Sequence, residues 1–317
     1  MNKKRRWPAV LMLLTIIFLL SSCKKEADTP DENAVVFTDA LGRSVTIARN
    51  PERVAALIGS FADVWLLSGG TVSATAEDAW SDFGLTLPDA VNIGGAHSPN
   101  TELLFASDPD FVIASASTAS NISLCEVLEE AKIPVAYFDV DNFDDYLKML
   151  DILTDITGRK DLYQKNGLIV KEQIERIKKE ISDYNLPEDK RTVLLLRASS
   201  GFVKAKGSQG TILGEMLSDV GLINIADGDN ALLESLSVES VIRLSPYRIF
   251  VVTMGDDTEK ALSNLNRLMS ENPAWGLLDA VQQGRLHLMD RRLFNIKPNA
   301  EWAESYEELK NILLEKE

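Results

Sequence analysis

Along this chain the spacing of apolar positions switches repeatedly between two residues and three to four. Residues 35–39 and 44–47 alternate in strand fashion around Ala40-Leu41-Gly42-Arg43, the pattern of a short hairpin. Beyond it, apolar runs at 54–58, 72–76, 111–114 and 135–138 predict strands, and 61–67, 122–131 and 143–157 carry helical periodicity. Wholly apolar strands set between helices belong to a mostly parallel sheet covered on both faces. Residues 160–184 form the longest polar-faced helical pattern: Leu162, Ile169, Ile174, Ile177 and Ile181 make a broken apolar stripe, and Pro187 closes it. Strands are then expected at 191–196, 249–252 and 285–288, with helices at 213–220, 238–244, 259–269 and 302–314. The expected fold is α/β: two Rossmann-like lobes with mostly parallel sheets, residues 35–158 and 187–317, joined by one long α-helix over 159–186.

An internal echo ties the two lobes together. The segment from Glu102 to Ile113 can be laid on the segment from Glu239 to Phe250. Both have an acid, a helical turn, a proline seven positions on (Pro109 and Pro246) and then a buried strand. This points to two lobes of related architecture.

The first residues carry an address. Lys3, Lys4, Arg5 and Arg6 precede an apolar run from Ala9 to Leu20, too short for the roughly 20 residues of a spanning helix. It ends in Leu20-Ser21-Ser22-Cys23, which resembles a bacterial lipobox. That resemblance makes 1–22 a lipoprotein signal peptide and Cys23 the lipid-bearing first residue of the mature chain. Residues 23–34 then read as the lipidated cysteine and a flexible tether; ten such residues reach about 17 Å on average.

Charge narrows the partners. The chain holds 33 Lys+Arg against 48 Asp+Glu, a net charge of −15, and losing the four basic residues of the leader makes it −19. So acidic a chain lacks the basic face that nucleic acid requires. With two cysteines there is no disulfide framework; Cys125, the one left in the folded body, reads as a small core residue. The catalytic inventory is equally thin. His97 and His287 are the only histidines, and there is no HExxH, no P-loop and no GxGxxG after a strand. His287 lies between Leu286 and Leu288 in a strand pattern and reads as structural. His97 lies in the loop Gly94-Gly95-Ala96-His97-Ser98-Pro99, a candidate site edge.

Several segments together resemble one family. They are Asn50-Pro51-Glu52-Arg53-Val54 before the first core strand, Asn100-Thr101-Glu102 followed by Asp108-Pro109-Asp110, the run from Ile212 to Gly221, and the run from Trp275 to Leu286. In order and spacing they are similar to the substrate-binding lipoproteins of the iron-siderophore, haem and cobalamin ABC importers. The resemblance implies a ligand held between two lobes with little closure, and one glutamate per lobe that docks on arginines of the permease, placed on Glu102 and Glu215. It also implies ABC permease and ATPase subunits as partners, a membrane reached through the lipid, and a monomer. No catalytic role, intrinsic cofactor or protein-built metal site is expected. The cargo itself is a metal complex: an iron chelate, haem or a corrinoid.

A ligand in an open α/β fold sits at the carboxyl ends of the strands. Those ends offer Ser60, Phe61, Trp80, His97 and Ser115 in the first lobe, and Arg197, Phe202, Met254, Arg291, Arg292 and Phe294 in the second. Residues 34–158 carry 5 bases against 19 acids and residues 159–317 carry 22 against 25, so cations for an anionic ligand come from the second lobe. Phe61, Trp80, Phe202 and Phe294 would supply flat apolar walls. The rival readings are cobalamin as cargo, a surface sensor without a permease, and a lipid-anchored hydrolase using Ser60 or Ser115 with His97.

Overall fold

The computed structural model describes residues 33–255 and 257–315. The leader and Cys23 lie outside the described residues. The described chain opens with an antiparallel hairpin, Ala34–Thr38 (β1) and Ser44–Ala48 (β2). Asp39 organises its turn by accepting from the backbone N–H groups of Leu41 and Arg43 and from the Arg43 guanidinium. Arg43 also donates to Glu129 and to the Val135 carbonyl, which ties the hairpin to the first sheet.

That sheet is built by Val54–Ala56 (β3), Gly59–Leu67 (α1), Val72–Thr75 (β4), Asp78–Ser81 (α2) and Val91–Asn92 (β5). There follow a small hairpin of Gly94–Gly95 (β6) and Ser98–Pro99 (β7), then Thr101–Ala106 (α3) and Phe111–Ser115 (β8). Ala119–Ile122 (α4), Cys125–Glu130 (α5), Val135–Phe138 (β9) and Phe143–Thr157 (α6) complete it. The strand order is β5-β4-β3-β8-β9, parallel throughout. The single helix expected at 122–131 is in fact two. Asn121 turns its side-chain oxygen to the Ser115 N–H and its carbonyl to the Tyr137 hydroxyl, and Ser123 bonds back to the Ser120 carbonyl, so local polar groups compete with helix propagation.

The connecting helix comprises Lys160–Tyr163 (α7), a π-helical turn at Gln164–Leu168 and Ile169–Tyr184 (α8). Tertiary hydrogen bonds hold the π turn: the Asn166 amide donates to the Leu67 carbonyl, and the Tyr146 hydroxyl donates to the Asn166 carbonyl at 2.9 Å.

The second sheet comes from Thr192–Ala198 (β10), Val203–Lys206 (β11), Ile212–Asp219 (α9), Ile223–Asn224 (β12), Asn230–Glu234 (α10) and Val238–Leu244 (α11). Arg248–Thr253 (β13), Thr258–Glu271 (α12), Asp279–Gln282 (α13), Leu286–Leu288 (β14), Arg291–Phe294 (α14) and Trp302–Leu314 (α15) follow. The order is β11-β10-β13-β14, with β12 against the start of β10; only β11 runs antiparallel. The mostly parallel α/β fold expected from the periodicity is the one observed.

One apolar core runs through the whole described body. It passes from Val54 and Phe111 of the first sheet through Ile174, Ile177 and Ile181 of α8 to Val193, Leu195, Met216 and Phe250, and on to Trp302 and Leu309 of α15. Each fully buried aliphatic side chain contributes about 1.5–3 kcal/mol, so these three isoleucines bind the connecting helix firmly to both sheets. Smaller cores cover the outer faces of the two sheets.

Gly59, at the start of α1, is a close-approach glycine: a Cβ there would overlap the backbone of Ala79 in α2. Gly59→Ala is expected to lower unfolding free energy in urea by about 1–3 kcal/mol, whereas Gly201→Ala, at a position with open space around it, should change it little.

Candidate functional site

The carboxyl edges of the two sheets meet. The loop after β14 crosses to the helices that follow β3 and β4, and Arg291 makes a two-pronged ion pair with Asp82, its second Nη at 2.9 Å from Oδ2. Arg292 lies 3.7 Å from Asp63 and 3.2 Å from Glu301, with its guanidinium 4.5 Å above the Phe83 ring. Buried Asn299, in the left-handed region at φ 56°, donates to the Ser60 carbonyl at 2.9 Å and to the Asp63 carboxylate at 2.8 Å. Burial raises the Asp63 carboxyl above its ordinary range, while the Asn299 bond and the Arg292 charge pull it back. Beside them Lys297 holds its Nζ 5.8 Å from the Phe61 ring centre. Burial pushes that amine below the usual lysine value, against the pull of Asp141 and Asp139.

These contacts correct two expectations. Arg291 and Arg292 are not free cations awaiting a ligand, because α14 brings both against acids of the first lobe. Nor do Phe61 and Phe294 offer walls to the cleft: they are 0% and 1% exposed, packed into the continuous core, with Phe61 edge-on to Phe138 at 6.3 Å. Ser60 is buried in the first turn of α1. Ser115 is buried at the end of β8, its hydroxyl accepting from Thr118 Oγ1 at 3.1 Å and the Ser117 N–H at 3.3 Å. Neither serine is hydrogen-bonded to His97, so no nucleophile–base pair is assembled among them.

The remaining first-lobe candidates line the edge itself. His97 is exposed at the tip of the β6–β7 hairpin, which Ser120 braces by donating to the Ala96 carbonyl at 3.0 Å. Trp80 is half-buried on α2. In the second lobe Phe202 is exposed in the β10–β11 turn and Met254 just past β13. Arg197 lies at the second-last position of β10, and its Nε is buried without a hydrogen-bond partner. Desolvation pulls its pKa below the ordinary arginine value. It borders a cavity of about 640 Å³ with Lys206, Ser208 and Thr211. His287, read as structural, stacks on Phe250 with ring centres 5.4 Å apart, and burial lowers its pKa. Cys125 is half-buried, with its sulfur 3.0 Å from Arg43 Nη1. Among the described residues no group of three or more His, Cys, Asp and Glu is placed to hold a metal ion.

The glutamates chosen for docking part company. Glu102 is exposed in the first turn of α3, behind an Asn100 cap that accepts from the Leu103 N–H at 3.1 Å. Glu215 is half-buried in a groove among Asp144, Lys171 and Lys178, and accepts from the Gly210 N–H at 3.2 Å. The residue placed most like Glu102 is Glu239: exposed, in the first turn of α11, behind a Ser237 cap that accepts from the Ser240 N–H at 3.2 Å. Helices α3 and α11 each precede a parallel strand, so both glutamates stand at a carboxyl edge. The internal echo in the sequence already paired Glu102 with Glu239 and was the signal for this.

A family model described as periplasmic binding protein matches residues 54–293, from the first strand of the first sheet to the helix after β14. The chain belongs to this family. Among its relatives, the Fe(3+)-citrate-binding protein YfmC of Bacillus subtilis (strain 168) is 24% identical over 298 residues, 88% of either chain. Staphylococcus aureus SirA, solved with staphyloferrin B, superposes with a TM-score of 0.65 at 18% identity, covering 88% of this chain and 97% of that one. The petrobactin-binding protein YclQ from Bacillus subtilis gives 0.70 at 18% identity over 89% and 99%. The two structural likenesses establish the shared fold.

Asp63, Asp82 and Asn299 escaped sequence reasoning, because their partners lie more than 200 positions away in the chain. For this binding protein a double-mutant cycle on Asp82→Asn and Arg291→Gln is expected to give a coupling of about 1–2 kcal/mol in urea unfolding. A coupling near zero would show that the ion pair does not hold the lobes.

Proposed function

We propose that this periplasmic binding protein captures an iron complex, a ferric siderophore or haem, between its two lobes and delivers it to an ABC importer from the outer face of a bacterial membrane. The observation that carries this reading is the family match across both sheets, whose carboxyl edges are joined by the Arg291–Asp82 ion pair, with a cavity bordered by Arg197 in the second lobe. The name of the iron-citrate-binding relative and the acinetobactin–ferric iron complex held by the solved neighbour BauB support iron as the metal. Cobalamin is the alternative cargo, in line with the vitamin B12-binding protein BtuF of Vibrio cholerae among the structural neighbours. The body works as a monomer, and a lipid on Cys23 holds it close to the permease. A relative named as a putative ABC transporter substrate-binding lipoprotein supports the anchor.

Docking is the work of Glu102 and Glu239. One exposed carboxylate per lobe, each at the start of a helix beside the cleft, lets a permease register both halves at once. Glu102→Ala and Glu239→Ala should each cut uptake of the radiolabelled iron complex by at least about tenfold, as loss of a charge-assisted contact does. Ligand affinity should stay unchanged, and Glu215→Ala should leave uptake near the parent level. Uptake that survives the double replacement of Glu102 and Glu239 would remove the docking assignment. For the anchor, Cys23→Ser should shift the protein from the membrane pellet to the soluble fraction and abolish labelling by a fatty-acid probe.

A further inference from the structure

The edge of the second sheet carries a cluster of three cations, with Asp227 the acid on the same cavity. Along β10, Val193 and Leu195 face the continuous core while Leu194, Leu196 and Ala198 face the outer one. Alternation therefore puts Arg197 on the Val193 side. On β11, Val203 and Ala205 pack toward the outer core, which turns Lys204 and Lys206 to the side of Arg197. The register agrees: Arg197 is directly opposite Lys204, and Leu195 is opposite Lys206. Like charges directly across two antiparallel strands destabilise the pair.

Among the described residues none of the three cations has an ion pair with a carboxylate. Burial alone lowers the arginine, and the lysine at 206 is lowered first by burial and then by the charges of Arg197 and Lys204. The acids nearby are engaged elsewhere: Asp227 takes the Ser208 N–H and hydroxyl, both at 2.7 Å, and Glu215 takes the Gly210 N–H. In a chain with 48 acids and 33 bases, three neighbouring cations without a carboxylate are a costly arrangement unless something anionic visits them. The cavity of about 640 Å³ opens beside them within the second lobe, bordered by Arg197, Lys206, Ser208, Gln209 and Thr211 and by one acid, Asp227. Phe202 stands exposed at the turn, its ring 5.3 Å from Lys204 Nζ.

We infer that Arg197, Lys204 and Lys206 form the anion-binding wall of the cleft and select as cargo a ferric chelate of net negative charge whose outer surface presents carboxylates. The inference rests on the iron-complex reading above and adds the chemical class. A planar guanidinium takes a carboxylate through two parallel bonds, and the lysines add flexible point charges that follow chelates of different outline. A neutral or cationic hydroxamate chelate gains nothing from this wall. Haem adds a large apolar macrocycle to its two propionates and cobalamin presents mainly neutral amides, so neither draws on three cations as fully as a chelate covered in carboxylates.

The test is a titration of the soluble body, residues 24–317, followed by quenching of tryptophan fluorescence. The probes are ferric citrate, ferrioxamine, haemin and cyanocobalamin. Ferric citrate should bind saturably, with an affinity that falls as salt is raised. Lys204→Gln and Lys206→Gln should each weaken it by about tenfold or more, and Arg197→Gln by more than either. Both lysine variants should be at least as stable to urea as the parent, since each relieves repulsion, so loss of binding cannot be ascribed to unfolding. Ferric citrate binding that is insensitive to all three substitutions would overturn the wall. Binding of only haemin, cobalamin or ferrioxamine would overturn the anionic cargo class and leave the importer reading standing. Silence toward every probe would remove both.

Discussion

The apolar core that passes without interruption from the first sheet through α8 into the second sheet is the constraint on which the rest of the molecule depends. A flexible hinge would let two such lobes swing; here the connecting segment is itself a core element. Ile174, Ile177 and Ile181 are buried on α8, and α15 packs alongside it with Lys310 paired to Glu180 at 2.7 Å. Separating the lobes would expose part of that core to water. At the far side the Arg291–Asp82 pair and the bonds of Asn299 to Ser60 and Asp63 close the remaining freedom. A cleft built this way recognises a ligand with side chains already in place along two sheet edges, and large rearrangement on binding is energetically disfavoured.

Charge is divided unevenly between the lobes. The first lobe is strongly acidic, and some of its acids meet the second lobe across the interface, where Asp63 and Asp82 occupy Arg292 and Arg291. Cations used in this way are lost to the ligand. Among the described residues Arg197, Lys204 and Lys206 of β10 and β11 make no ion pair with a carboxylate, which leaves them open to an anionic ligand. Two similar-looking sets of basic residues on one lobe thus differ in whether an acid lies within reach.

The repeated unit of helix, proline and strand gives each lobe an exposed glutamate at a helix start, with a side-chain cap behind it. An acid there is favoured by the helix dipole in any protein, so one such residue says little. Two of them, equivalent in both halves and set at the edges that meet, are a geometric pair that a two-fold partner can grip. Glu215 shares the same helical motif logic but turns inward to a backbone N–H, and its groove lies against α8.

Local periodicity was enough to read the alternation of strand and helix, the connecting helix and the parallel character of both sheets, because those depend on propensity and on one-dimensional burial patterns. The echo between residues 102–113 and 239–250 already aligned Glu102 with Glu239, although the family resemblance had placed docking on Glu102 and Glu215. What sequence could not supply was the pairing of groups distant along the chain. It could not show that Arg291 and Arg292 would meet acids more than 200 residues away, that Phe61 and Phe294 would turn into the core, or that Asn121 would break a helix by bonding to Ser115 and Tyr137. Strand β11, four residues with a lysine at every second position, carries too little apolar signal to be read as a strand. Only its antiparallel register beside β10 sets Lys204 across from Arg197. Periodicity fixes which face of an element is apolar, but the fate of a charged group depends on what the fold brings within a few ångströms of it, and that is decided in three dimensions.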